Sequence, residues 1–170
     1  TEIHIAGNTW KAVDFEYTVT EDSYVTFDYK TVIEGEIHGL IFLEDGLDPN
    51  ASGTVHQGLD LIRTDGFQSY GSPALYTEAT DTFQTITVNL SDYYDVGTDI
   101  SHLVFVNDDD ANAAGEAVFK NIKVYEENGI YGDAADNILS GTSEADYLYG
   151  DAGADIFLFD ASSFDAVDVI

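Results

Sequence analysis

From Gly132 onward the chain repeats itself every nine residues. The units are Gly132–Ser140, Gly141–Tyr149 and Gly150–Leu158, with no residue between them. Position six holds Asn137, Asp146 and Asp155, and position eight holds Leu139, Leu148 and Phe157. Glycine and polar residues at the front of each unit make a turn, and the apolar residue behind them marks a short strand. One apolar side chain per unit is too little for a core of its own, so such units have to stack. An acidic, glycine-rich linker has no reason to keep three units in register.

The whole chain shares this acidity. In 170 residues, 33 acids face 5 bases, a formal charge of -28. Nucleic acid is thereby excluded as a partner, because phosphate contacts need the opposite sign. Anionic membranes are disfavoured for the same reason. So much like charge works against a compact state unless cations bind. Hydrophobic residues make up 44%, which separates the chain from disordered ones. With no Cys there is neither a disulfide nor a zinc–thiolate framework. No apolar run reaches membrane-spanning length, so insertion into a membrane is not expected. The chain begins at Thr1 without a visible signal peptide, and the expectation is a piece of a longer protein.

Residues 1–127 read as a domain of strands, and 128–170 as the repeat segment. Val13, Phe15, Tyr17 and Val19 alternate with polar residues, as do Val25, Phe27 and Tyr29. Both are the period-two pattern of half-buried strands. Thr20–Ser23 between them is turn chemistry and predicts a hairpin. Further strands are expected at 35–43, 55–62, 83–90, 103–106 and 117–125, with long loops at 44–53 and 64–82. About eight strands without a helix make an antiparallel β-sandwich, a jelly roll in the first instance.

One stretch stands out in that domain. The apolar run Leu103–Val106 leads straight into Asn107, Asp108, Asp109 and Asp110. Adjacent carboxylates repel, and a hard cation removes the repulsion. Calcium takes six to eight oxygen ligands from such side chains, from carbonyls and from water. Alternate side chains diverge in extended backbone, so two or three of the four would ligate while the others bond amides. Glu36 lies two residues from His38 on one strand face, and is a metal ligand or a ligand contact. His38 is a ligand contact or a satisfied buried imidazole. Glu44, Asp45 and Asp48 form a second acidic loop, with Asp45 the candidate for a structural ion. Gln68, Ser69 and Tyr70 have the mixture of adaptable polar groups and aromatic found in binding loops. Tyr70 or Tyr76 would stack on a sugar or flank a peptide.

The nonapeptides match G-G-x-G-x-D-x-U-x, the calcium-binding repeat of RTX proteins. The resemblance implies a parallel β-roll. Gly132, Asp133 and Asn137 in one turn would bind calcium against Gly150, Asp151, Gly153 and Asp155, one coil on. The middle turn, 141–146, would need a partner outside this chain. Position two is never glycine, position four is glycine only at Gly153, and Asn137 replaces Asp, which weakens the first two turns as sites. The segments Asn8–Asp14, Gly35–Gly39, Leu103–Asp110 and Phe119–Glu126 resemble a calcium-dependent ligand-binding sandwich found near the distal end of bacterial RTX adhesins, ice-binding adhesins among them. That resemblance implies several calcium ions, secretion to the bacterial cell surface, and neighbouring domains of a larger RTX chain. It also implies capture of a peptide C-terminus at a bound calcium, with a glycan on another cell as the close second. Related sandwiches are carbohydrate-binding modules of secreted polysaccharide-degrading enzymes, the alternative reading. An enzyme is not expected. Glu34 and Glu36 could pair as in a glycosidase, but in so acidic a chain pairs arise by chance, and no HExxH, GxSxG or phosphate loop is present.

Overall fold

Alternation in the sequence becomes two faces in the structure, because successive side chains of a strand point to opposite sides. In the computed structural model, residues 1–49, 61–68, 73–142 and 146–158 are described. The chain divides into two compact units, Thr1–Val124 and Tyr125–Ile170. The strands of the first are β1 (Glu2–Ala6), β2 (Thr9–Thr18), β3 (Ser23–Ile33), β4 (Ile37–Glu44), β5 (Ile62–Asp65), β6 (Gln84–Asn89), β7 (Asp99–Asp108) and β8 (Glu116–Glu126). Among the described residues there is no α-helix, only a 3₁₀ turn at Leu90–Asp92. It is capped by Asn89, whose side chain accepts the Ser91 N–H.

Two four-stranded sheets form, in the orders β1-β8-β3-β6 and β2-β7-β4-β5. Neighbours pair antiparallel. Every connection except β4–β5 changes sheet, which is the double Greek key of a jelly roll. The hairpin expected from Val13–Tyr29 therefore does not form. Its turn does: Thr20 N–H donates to Ser23 Oγ at 2.7 Å and Asp22 N–H to Thr20 Oγ1 at 3.2 Å. But β2 pairs with β7 and β3 with β6, so the turn is a corner between sheets. Period two identifies a strand without naming its partner.

The inner faces meet in a core of Val25, Phe27, Tyr29, Leu40, Phe42, Ile62, Ile86, Leu103, Phe105 and Phe119, with rings crossing edge to face. The other face of the β2-β7-β4-β5 sheet carries a second cluster, Ile37, Ile41, Leu43, Leu61, Val104 and Val106, with Trp10 packed against it. Most of the strand expected over 55–62 lies outside the described residues. β5 continues to Asp65, into the stretch read as loop.

The second unit holds β9 (Gly129–Tyr131), β10 (Ile138–Ser140), β11 (Tyr147–Tyr149) and β12 (Ile156–Leu158). β10 pairs parallel with β12, and β9 with β11. Both pairs join residues two nonapeptides apart, the geometry of a β-roll. Leu139 and Leu148 are buried inside it. β11 has its partner strand within the chain, while residues 143–145 of the middle turn lie outside the described residues. Gly129–Tyr131 lacks the opening glycine of a repeat but supplies Ile130 opposite Leu148. Tyr131 folds back over Gly129, where a Cβ would meet its ring at 2.5 Å. Its hydroxyl accepts the Glu126 N–H at 2.7 Å and closes the start of the roll.

Candidate functional site

The end of β7 settles which way the acidic stretch faces. Leu103 and Phe105 point into the sandwich core, and Val104 and Val106 into the outer cluster. Asn107 and Asp109 continue the inward row and are fully buried. Asp108 continues the outward row and accepts a hydrogen bond from Trp10 Nε1 at 3.4 Å. Asp110 is exposed at the start of the following loop. The four side chains therefore divide two and two instead of facing one ion. Among the described residues, no three His, Asp or Glu side chains gather closely enough to hold a metal by themselves.

The inward pair organises the loop. Asp109 Oδ2 accepts the N–H groups of Ala114 and Gly115 at 2.8 and 2.7 Å. Asn107 Nδ2 donates to the carbonyls of Gly7 and Gly115. The remaining oxygens, Asn107 Oδ1 and Asp109 Oδ1, are buried without a hydrogen-bond partner. A calcium-type donor set fits here: hard oxygens, one charged, that the protein leaves unsatisfied.

Glu36 is a strut. Its N–H donates to the Asp108 carbonyl at 3.0 Å. Its buried carboxylate accepts the Asp110 N–H at 2.7 Å and Gln68 Nε2 at 2.6 Å. Gln68 N–H in turn donates to the Glu36 carbonyl. One acidic side chain thus ties the β7–β8 loop to the segment after β5. That segment presents Phe67, 58% exposed, whose N–H donates to the Gly35 carbonyl. Ser69 and Tyr70 lie outside the described residues.

Two candidate ligand contacts are buried, and for His38 the structure favours the second of its two readings, a satisfied buried imidazole. His38 is fully buried, facing the core from β4. Its Nε2 accepts the Gly35 N–H at 3.0 Å, so the ring proton sits on Nδ1 and is donated to Tyr29 Oη at 2.9 Å. From Tyr29 the chain of hydroxyls runs through Thr31 to the Asp65 carboxylate. Burial pulls the imidazole pKa down to about 4, against the pull of the Asp65 and Asp109 carboxylates. Tyr76 is also buried, edge-on to Tyr29 at 5.1 Å, with its hydroxyl on the Ala79 and Thr82 carbonyls. Neither side chain has a face free for a ligand. Asp45 belongs elsewhere. Its Oδ1 accepts the Gly46 N–H, and it lines a shallow cleft of ≈ 260 Å³ with Glu16 and Asp99. The β2–β7 register, Thr9 opposite Asn107 and Thr18 opposite Asp99, sets that cleft at the far end of the sheet.

In the second unit the turns 132–137 and 150–155 stack. Asp155 Oδ1 accepts the Asn137 N–H and Asp136 Oδ1 accepts the Ala154 N–H, each at 2.9 Å. Asn137 Oδ1 accepts the Asp133 N–H within its own turn. Asp133 Oδ1 accepts from Ala135 N–H and Asn137 Nδ2, which hold its pKa below the usual value. A Cβ on Gly132 or Gly150 would run into Asn137 or Asp155 respectively, so the position-six side chains reach back over the opening glycines. Gly153 has φ +132° and lies against the Ala135 carbonyl. Asp151 takes φ +62° where the repeat pattern has glycine. Asp136, at position five, is the cross-turn group that a search on position six does not find.

Residues 131–162 match the family model for the RTX calcium-binding nonapeptide repeat (4 copies). This tail is an RTX repeat segment. RTX repeats bind calcium, and the paired turns fit that ion, with side-chain and carbonyl oxygens of Asn137, Asp155, Gly150 and Ala135 gathered at the turn interface. Proteins with RTX repeats are typically secreted, which fits an extracellular location. No curated protein matches the chain. Among the described residues, no helix is long and apolar enough to cross a membrane.

Proposed function

We propose that the sandwich is a calcium-dependent binding module of a bacterial RTX adhesin, not an enzyme, and that it takes a peptide C-terminus at the rim formed by Asp108, Asp110 and Gln68. The observation that carries this reading is the Glu36 strut. It fixes two loops side by side at the end of β7 and leaves the Asp110 side chain exposed, while the tied segment carries the exposed Phe67 ring. Binding residues placed on loops by a rigid scaffold are the usual arrangement. A chain of charge -28 repels a carboxylate unless a cation locally reverses the sign, and calcium supplies that positive centre. Phe67 offers an apolar wall for the side chain next to the terminus, and Gln68 a polar contact held in place by Glu36. The partners in this reading are peptide termini on another cell surface, with other domains of a larger RTX chain presenting the module.

A screen of peptides and glycans, run with calcium and again with chelator, tests the reading. Binding of peptides with a free C-terminus, lost with chelator, is expected. Asp108→Ala and Asp110→Ala should each lower affinity at least about 100-fold, because losing a ligand loses the ion that receives the carboxylate. Asp22→Ala, in the β2–β3 corner, should bind normally. Glycan binding without peptide binding would move the reading to a carbohydrate-binding module. Undiminished binding by both rim variants would remove the rim as the site.

A further inference from the structure

Two buried oxygens at the inner end of β7 have nothing to bond. Asn107 is fully buried, and its Nδ2 faces two carbonyls, Gly7 and Gly115. Two acceptors on one side settle which end of the amide is nitrogen. Oδ1 therefore points away from both, and no donor meets it. Asp109, two residues on and on the same strand face, is in the same state. Its Oδ2 takes two loop amides while Oδ1 takes none. An unsatisfied buried acceptor costs stability, and more when charged. Two such oxygens on one strand face, two residues apart, call for a partner that both can share.

The surroundings supply no such partner. His38, the residue opposite Asn107 in the β4–β7 register, has its Nε2 occupied as an acceptor for Gly35 N–H. Its ring proton goes the other way, to Tyr29. Three glycine-bearing segments close around the pair. A Cβ on Gly35 would meet His38 Nε2 at 2.7 Å and Asp109 Cβ at 3.4 Å. One on Gly115 would meet the Gly35 Cα at 3.1 Å and Asn107 Nδ2 at 3.3 Å. Gly7 N–H donates to the Gly115 carbonyl at 2.9 Å. The knot is rich in backbone carbonyls and has no side-chain bulk. Carboxylate and amide oxygens are among the donors calcium takes.

We infer that Asn107 Oδ1 and Asp109 Oδ1 are ligands to one buried, structural calcium ion that locks the Asp109–Gly115 loop against Gly7 and Gly35. This goes beyond the binding reading, because the ion faces the interior and meets no captured ligand. It makes order in the β7–β8 loop, and hence in the backbone that carries Asp110, depend on calcium.

The test uses the full chain. Asp109→Asn removes the charge but keeps an oxygen for the Ala114 and Gly115 amides. Native mass spectrometry should count one calcium fewer per chain than in wild type, and Asp22→Asn should match wild type. In wild type, amide exchange at Ala114 and Gly115 should be at least about tenfold faster with chelator than with calcium, and this difference should vanish in Asp109→Asn. Where the variant does not fold, the wild-type exchange decides: indifference of Ala114 and Gly115 to calcium overturns the inference. An unchanged ion count with unchanged calcium dependence in Asp109→Asn overturns it as well, and assigns the two oxygens to water. Failure of the rim reading looks different: Asp110→Ala would still bind peptide, whatever the exchange at Ala114 and Gly115.

Discussion

Neighbouring residues of one acidic run do different work because the strand turns them to opposite faces. Asp109 binds loop amides in the interior, while Asp108 meets Trp10 outside. Glu36, just before β4, and His38, on it, likewise hold structure in place, one by bracing loops and the other by ending a chain of buried hydroxyls. The burial of His38 has a measurable pH signature. Its imidazole titrates at 6.5 when unperturbed and at about 4 in the fold. A folded pKa below the unfolded one means that the unfolded chain binds the proton first. The contribution is then complete above pH 6.5 and is lost as pH falls toward 4. Between pH 7 and pH 5 the loss comes to about 2 kcal/mol. A cation beside Asp109 would push the imidazole further in the same direction. Urea unfolding at saturating calcium should show this loss in wild type and a correspondingly smaller one in His38→Gln, which can still accept the Gly35 N–H. Equal losses in both would place the titration elsewhere.

At the scale of elements, the sequence was most legible where its period was most regular. The alternation over 83–90 sets Ile86, Val88 and Leu90 on one face; Ile86 and Leu90 are buried, and Val88 is partly buried against the same core. The nonapeptides predict which turns stack, because glycine and a position-six oxygen recur at fixed spacing. Pairing across the sheets was not legible. The β2–β3 corner has the same Thr and Ser hydrogen bonds as a hairpin turn would, and only long-range packing decides that the strands part. Tyr76 was misplaced, and His38 left with two readings, for a related reason: an aromatic or imidazole near a loop looks the same in sequence whether it faces the core or the solvent. Gly129–Tyr131 escaped because it enters the roll without an opening glycine. Within the roll, Gly153 carries a definite expectation. Its φ of +132° suits glycine alone, and a Cβ would sit 2.6 Å from the Ala135 carbonyl. Gly153→Ala should cost about 1–3 kcal/mol, and should weaken calcium binding by the turn pair and speed amide exchange at Ile138–Ser140. Unchanged exchange there would show that the turn tolerates a side chain and that the stacking of 132–137 on 150–155 is not what orders β10.

For the molecule as a whole, charge sets the terms. Acids outnumber bases 33 to 5, and the five bases leave most carboxylates without a partner of opposite sign. Compactness then rests on burying apolar strands in the sandwich and on cations where carboxylates cluster. Among the described residues of the roll, Leu139 and Leu148 are the buried apolar side chains, so its turns depend on the ion more heavily than the β6 ladder does. An ion that binds only the folded state adds RT ln(1 + [L]/Kd), about 2.7 kcal/mol at 100 times Kd. Extracellular calcium modules work at Kd values of about 0.1–1 mM, so millimolar calcium is the range that matters. Thermal unfolding of the full chain, recorded across a calcium titration and again with EDTA, tests the dependence on calcium most directly. The melting temperature should rise steadily through the millimolar range and fall sharply on chelation. A melting temperature that EDTA leaves unchanged would contradict it.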